Sequence, residues 1–302
     1  MRHGAVIAAA LVAVLFAALL IPGGQRNWVL NLVAGNGFHT VRWPPTAPQP
    51  AAPPIRVAIS AMISPERTYL AYGDLFGEVA QRCGRRLELI QRPTYAQVNE
   101  LLMAGLVDVA WICTGAWPDL ARTHAARLAV VPVIGGRTTY QAYVIVATAG
   151  RIRAMADLRG ARFAFTDPLS LTGYAFPKHL VVDLGSSPET FFAGTIFTHA
   201  HDNSIEAVRR GLVDAASVDS LVFEFMREHS PESVAGLEVI ERSPPFPVPP
   251  VVVSAASSPD LLTSVETTMR ALNQDAMGRG LLLALGIERF ERADEAPYAG
   301  VQ

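Results

Sequence analysis

The chain has 302 residues, enough for one large domain or two ordinary ones with a sizeable core, and we read two lobes. Its 25 Lys plus Arg stand against 27 Asp plus Glu, a formal net charge of -2. That balance excludes the strongly basic footprint of an extended nucleic-acid surface, so no nucleic-acid partner is expected and any bound anion must be held locally.

In chain order, Arg2 and His3 precede an uncharged apolar run from Ala5 to Ile21, broken by Pro22 and two glycines. This is the form of an export signal. Its span of about 17 residues sits at the short limit for crossing a bilayer, so residues 1–24 read as a signal peptide or an uncleaved anchor. Residues 25–54 read as a linker, Pro-rich over 42–54 (RWPPTAPQPAAPP), which suits a semi-rigid tether.

From Ile55 the pattern alternates. RVAIS (56–60), LELIQ (87–91) and DVAWI (108–112) read as apolar strands, with helices over 65–83 and 94–105 between them. This βαβαβ order implies a parallel sheet with right-handed crossovers. A second series follows: ADLRG as a short helix, RFAFT as a strand, GYAFPKHLVVDLG as a helix, TIFTHA as a strand, DNSIEAVRRG as a helix and VDAASVD as a strand. The apolar segments Gln141–Thr148 and Pro249–Ser254 border this series and read as two strands crossing between lobes. The expected fold is therefore α/β and two-lobed, each lobe a mainly parallel sheet flanked by helices. Residues 55–142 and 250–302 form lobe I, and 143–249 form lobe II.

The only cysteines are Cys83, near the end of the first helix, and Cys113, at the end of a strand. Those ends lie on opposite edges of a parallel layer, beyond the roughly 7 Å a disulfide allows, so Cys113 is expected as a free thiol in an oxidising compartment.

Ligands of such sheets bind beyond the carboxyl ends of the strands. Here those ends carry turns rich in small polar residues: AMISPERTYL, RPTYAQV, CTGAW, TDPLSLTGY, THAHDNS and SVDS. In the fourth, Ser170, Thr172 and Gly173 gather where a helix begins. Hydroxyls at a helix mouth cap its free N–H groups or hold an oxygen-rich ligand against them. Trp111 and Trp117 flank the Cys113 turn, as cleft wall or as core.

With these residues in place the chain resembles the periplasmic substrate-binding proteins of phosphate, phosphite and phosphonate ABC transporters. Their Asp-Pro-x-Ser-x-Ser/Thr-Gly-Tyr pattern is matched by Asp167, Pro168, Ser170, Thr172, Gly173 and Tyr174. Their Gly-His-Asp segment is matched at His201 and Asp202, their Val-Asp-Ser strand end at Val218, Asp219 and Ser220, and their Thr-x-Tyr turn loosely at Thr94 and Tyr95. The resemblance spans residues 55 to about 285. It implies a type II-like, hinge-closing binder of a small inorganic oxyanion, with no cofactor and no catalysis. Helix N-termini at Thr114–Ala116 and Ser170–Tyr174 would supply N–H groups, Ser170 and Thr172 hydroxyls, and His201 a further donor. Tyr95 would border the ligand, and Asp219 would accept from its hydroxyls or cap the next helix.

Two departures bear on the ligand. Leu171 stands where family members carry a further hydroxyl, and Cys113, Thr114 and Gly115 replace a Gly-Pro or Asn-Pro turn. A lost donor weakens a charged oxyanion, while a sulfur suits a thiophilic centre. In this the chain is similar to the arsenite-binding member of the family, which serves a sensor histidine kinase. The expectation is arsenite held through Cys113 as arsenic ligand, in a two-component sensing system. The alternative is phosphate, phosphite or phosphonate capture for an ABC permease. A reading from another class, a metal-dependent hydrolase, rests on His199, His201 and Asp202 on one strand end.

Overall fold

In this computed structural model the structure describes residues 40–42, 53–63 and 65–301. The apolar N-terminal run and most of the expected tether lie outside the described residues. Within that tether, β1 (Thr40–Arg42) pairs antiparallel with β3 (Leu87–Gln91), an element the Pro-rich reading did not anticipate.

In lobe I, β2 (Ile55–Ile59) lies between β3 and β4 (Val109–Trp111), parallel to both. The crossovers are α1 (Pro65–Arg82) and α2 (Tyr95–Met103), the latter capped by Thr94, whose side chain accepts from the Gln97 N–H. Alternation along these strands feeds two cores. Ile55, Val57, Ile59, Val109, Trp111 and Cys113 share one face, while Ala58, Ala110 and Ile112 share the other. Each fully buried aliphatic side chain contributes about 1.5–3 kcal/mol, so one residue's slip in register would be costly.

After the single 3₁₀ turn Thr114–Ala116 and α3 (Trp117–Arg122), the chain adds β5 (Ala126–Val133) antiparallel to a later strand. The crossing to lobe II is made by β6 (Thr139–Tyr140) and the return by β12 (Phe246–Pro247), which pair with each other. This corrects the expected crossing strands. Gln141–Thr148 contains β7 (Ala142–Ala147), a buried strand of lobe II, and Pro249–Ser254 contains β13 (Val251–Ser254), buried in lobe I. Continuous apolar runs mark strands covered on both faces, whereas a hinge that bends needs short, weakly held segments.

Lobe II repeats the plan with β8 (Arg162–Phe165), β9 (Gly194–Phe197) and β10 (Ala215–Asp219) as its parallel trio. Around it pack α4 (Phe176–Asp183), the short α5 (Pro188–Phe191), α6 (His201–Arg209) and α7 (Ser220–His229), with β11 (Leu237–Arg242) beside β7. The chain then returns to lobe I, where α8 (Pro259–Ala271), α9 (Ala276–Ala284) and β14 (Arg289–Arg292) complete the body. The sheets are thus mixed: the parallel arrangement holds for the trios, and β13, β5, β14, β7 and β11 join antiparallel. Among the described residues no helix is long and apolar enough to cross a membrane. Cys83 and Cys113 are both free thiols.

Candidate functional site

The tips of the two trios face each other across the β6/β12 hinge and touch. The Tyr95 N–H donates to Asp167 Oδ2 at 3.1 Å, and the His201 N–H to the Met62 carbonyl at 3.0 Å, each bond joining the lobes. Gly115 lies against the Leu169–Leu171 backbone so closely that a Cβ there would stand 2.4 Å from the Leu169 carbonyl oxygen. Thr114 Oγ1 donates to the Pro247 carbonyl at 2.8 Å, tying the lobe I turn to the hinge.

Inside this junction four hydroxyls are buried without a hydrogen-bond partner of ordinary geometry: Ser60, Tyr95, Tyr140 and Thr172. A buried, unpaired hydroxyl costs about 1–3 kcal/mol, so each is a standing donor for an oxygen-rich guest. Tyr95 and Tyr140 are near neighbours, their phenols pushed well up by burial and further by Cys113 and Asp219; Asp167 adds to this at Tyr95, while the Thr114 and Thr172 hydroxyls oppose it at Tyr140.

Two carboxyls border the hydroxyls. Burial pushes Asp219 up to about 7, against the Leu221 and Val222 N–H groups that its side chain accepts in capping α7. Burial also raises Asp167, opposed by the Leu169 and Tyr95 N–H groups and by His199. His201 is held neutral, its pKa lowered to about 3 by burial. Because its Nδ1 accepts the Asp219 N–H at 3.1 Å, the ring proton sits on Nε2, leaving the imidazole one donor. Nδ1 also meets Thr166 Oγ1 at 3.1 Å.

Several expected site residues take other roles. Ser170 caps its own turn by accepting the Gly173 N–H at 2.9 Å. Gly173 is required sterically: a Cβ would fall 2.4 Å from Thr166 Oγ1. Tyr174 lies outside the junction, its ring 5.1 Å from Phe165 and 5.6 Å from Phe197, beneath the Lys178 ammonium. The expected helix N-termini are present but irregular. Thr114–Ala116 is a 3₁₀ turn that runs straight into α3, and Leu171–Ala175 is a wide π-type turn that runs straight into α4, so each opens a helix with a distorted first turn.

Cys113 is buried in the lobe I core at 2% exposure. Burial pushes its thiol up to about 11, against a smaller pull from the Leu171 and Gly115 N–H groups. The sulfur therefore faces the opposite lobe, and burial favours its protonated form. The hydrolase reading loses its geometry. His199 sits in a left-handed turn with φ 60°, so it does not alternate with His201, which opens α6. Among the described residues no three His, Cys, Asp or Glu side chains come together as a metal site.

Ser60, Tyr140 and Asp167 are the junction residues that the expected site lacked. Ser60 ends a strand in the sequence pattern, and Tyr140 falls in no patterned element. Asp167 is marked in the sequence only by its motif, and its bond to Tyr95 joins segments 72 positions apart.

A groove of about 510 Å³ runs from this junction between the lobes, lined by Met62, Tyr72, Trp111, Asp219 and α7. Trp111 belongs to the lobe I core and borders this groove with one edge, and Trp117 packs in the core with its ring 6.5 Å from that of Tyr298.

Two αβ lobes that meet at strand tips across a double crossing, with donors gathered at the seam, define a hinged solute-binding protein. The family of ABC-transporter phosphonate periplasmic substrate-binding proteins matches residues 57–298, and the chain belongs to it. The match extends beyond the expected 285 to include β14 and Tyr298. The chain is 27% identical over 209 residues to the phosphate-import protein PhnD of Mycolicibacterium smegmatis, covering 65% of each chain. It is 24% identical over 180 residues to the phosphonates-binding periplasmic protein of Escherichia coli, covering 58% of this chain and 53% of that one. The chain thus spans under two thirds of the length of either relative. Among solved structures, a binding-protein component of an ABC phosphonate transporter from Pseudomonas aeruginosa superposes with a TM-score of 0.77 at 21% identity, covering 82% of this chain and 83% of that one. PhnD1 from Prochlorococcus marinus, in complex with methylphosphonate, gives 0.74 at 15% identity, covering 82% and 95%. These two likenesses concern the fold.

Proposed function

We propose that the protein is the exported, periplasmic solute-binding component of an ABC importer and captures a phosphorus oxyanion, a phosphonate or phosphate, between its lobes. The observation that carries this reading is the set of buried hydroxyls of Ser60, Tyr95, Tyr140 and Thr172 at the seam, none of which has a hydrogen bond of ordinary geometry and of which Tyr140 meets only the Thr114 and Thr172 hydroxyls. Oxygen acceptors on a tetrahedral ligand would satisfy donors arriving from both lobes and the hinge, so binding favours the closed arrangement by differential contact. His201 Nε2–H adds a neutral donor. The buried carboxyls Asp167 and Asp219 would accept from a protonated ligand oxygen and resist a fully ionised one. The relatives named for phosphate import and phosphonate binding support the same chemistry, and the match to an ABC-transporter family supports a permease as partner.

Isothermal titration of the full chain with methylphosphonate, phosphate, phosphite, sulfate and arsenite tests the reading. Saturable binding of at least one phosphorus oxyanion, weakened in Thr172→Val, is the expected result. Binding of arsenite alone, abolished by Cys113→Ser, would overturn it.

A further inference from the structure

The groove that opens from the seam has a composition the oxyanion chemistry does not use. Its walls are largely apolar and come from both lobes: Met62, Tyr72, Trp111 and Leu285 from lobe I, Val222 and Phe225 from lobe II. Its volume of about 510 Å³ exceeds what a lone tetrahedral anion requires and lies in the range of sites for small organic molecules. Tyr72 stands edge-on to Trp111 with ring centroids 5.1 Å apart, and Trp111 does the same to Phe290 at 5.7 Å, so the aromatic wall is fixed by packing. Trp111 is anchored further by its Nε1–H, which donates to the Pro249 carbonyl at 3.0 Å.

Two residues border both groove and seam. Asp219 lines the groove, and its charge reaches Cys113, Tyr95 and Tyr140 in the seam. Met62 lines the groove, and its carbonyl accepts the His201 N–H. The charged side chains of the lining are acidic, Asp74, Asp202, Asp219, Glu224 and Glu228, of which Glu224 is paired with Arg227 of α7. A second negative group on the ligand would be repelled there, while an uncharged organic group would bury apolar surface on both sides.

We infer that the ligand is an organophosphonate carrying an uncharged aromatic or branched apolar substituent, with its phosphonate at the seam and its organic group along Trp111 and Val222 in the groove. This rests on the oxyanion reading above and deepens it from an anion to a substrate class. The organic group bridges α7 of lobe II and the Trp111 wall of lobe I, so it contributes to closure as well as to affinity. Inorganic phosphate and methylphosphonate use the seam alone.

Titrating the full chain with benzylphosphonate, methylphosphonate, phosphate and phosphonoacetate tests the inference. Benzylphosphonate is expected to bind at least about ten-fold more tightly than methylphosphonate, the return on burying one aromatic group, and phosphonoacetate more weakly than methylphosphonate. Val222→Trp, which fills the groove, should remove the benzylphosphonate preference while leaving methylphosphonate affinity within about two-fold of the parent. Retained methylphosphonate binding reports that the variant is folded; Leu285→Trp serves if it is not. If methylphosphonate or phosphate binds and benzylphosphonate binds no better, the groove assignment is overturned while the oxyanion reading stands. A preference that survives both groove-filling variants likewise overturns it. If none of the phosphorus compounds binds, the oxyanion reading fails and the inference with it.

Discussion

The two lobes are built alike at the feet of their parallel trios and differ at the tips. At the foot of lobe I, Arg56 Nε and Nη2 hold the two oxygens of Asp108 at 3.0 and 2.7 Å, and Nη2 also meets the Gly105 carbonyl at 3.1 Å. At the foot of lobe II, Arg162 holds Asp214 at 3.2 and 2.8 Å and the Gly211 carbonyl at 3.1 Å. The partners are 52 and 49 positions apart in both lobes. The tips share no such device: lobe I presents Cys113, Thr114 and Gly115, and lobe II presents Asp167 to Thr172. An arrangement repeated at the feet reads as scaffold, whereas the divergent tips are where a ligand would discriminate.

Acids report the same split. Burial raises Asp108, but the Arg56 hydrogen bonds and charge outweigh it and leave the carboxyl lowered; Arg162 likewise lowers Asp214. Burial raises Asp219 to about 7 at the tips. With an unfolded value of about 3.9, folding at Asp219 favours the proton, so its contribution is complete below about pH 4 and is lost as pH rises to 7. Over about three units this approaches 4 kcal/mol. Asp219→Asn, which cannot ionise, should therefore gain stability relative to the parent between pH 4 and 8, read as a growing difference in denaturant midpoint. A constant difference across that range would place the ionised form comfortably in the fold. His201 works in the opposite direction: its folded value of about 3 lies below the unfolded value near 6.5, so its contribution falls as pH drops from 6.5 toward 3.

The second largest effect is expected at Gly115, where a Cβ would meet the Leu169 carbonyl oxygen at 2.4 Å and the Leu171 nitrogen at 2.7 Å. Both are backbone atoms of the other lobe and cannot rotate away. Gly115→Ala should oppose closure by about 1–3 kcal/mol, a loss of about 5- to 150-fold in methylphosphonate affinity, with each lobe still folded. Parent-like affinity in that variant would mean the lobes do not need this approach to bind.

Third come the seam hydroxyls. Tyr140→Phe and Tyr95→Phe each remove a donor and keep the ring, so each should weaken methylphosphonate by about 1 kcal/mol, or roughly five-fold, and leave thermal stability unchanged or higher. Unfolding without loss of affinity would assign these phenols to the core.

The trios were legible because short apolar strands bounded by Gly, Pro and polar turns alternate with amphipathic helices, a local signal. β5 is hidden in the sequence because ARLAVVPV follows α3 with scarcely a turn, and β14 because RFER looks like exposed helix or loop. The crossing was misplaced because a hinge strand is only two residues long, whereas the neighbouring β7 and β13 have the strong pattern. The site was half legible. Thr172, Tyr95, His201 and Asp219 come from motifs at strand ends, but Tyr140 and Ser60 acquire their role only when two lobes close on them, and no local pattern records that. Cys113 stands out in the sequence as an unusual residue, while the burial that favours its protonated form is recorded by no local pattern, its sulfur meeting the Leu171 N–H of the other lobe.

The smallest expected effects belong to the feet, and they sharpen the comparison because the two pairs differ in one variable. Their geometry is shared, but Arg56 and Asp108 keep 34% and 14% of their side-chain exposure, against 51% and 36% for Arg162 and Asp214. Water screens the second pair more, so its loss should matter less. Arg56→Met should lower stability by about 1 kcal/mol, because Asp108 keeps only the Arg56 N–H at 2.9 Å and a weak Ser257 hydroxyl contact. Arg162→Met should shift the melting temperature less, and high salt should shrink both differences. Neither variant should change methylphosphonate affinity, since both pairs sit at the opposite ends of the strands from the seam. A larger loss from Arg162→Met would show that exposure does not rank these pairs. A change in affinity from either would mean that the feet set the closing angle of the lobes and are not scaffold alone.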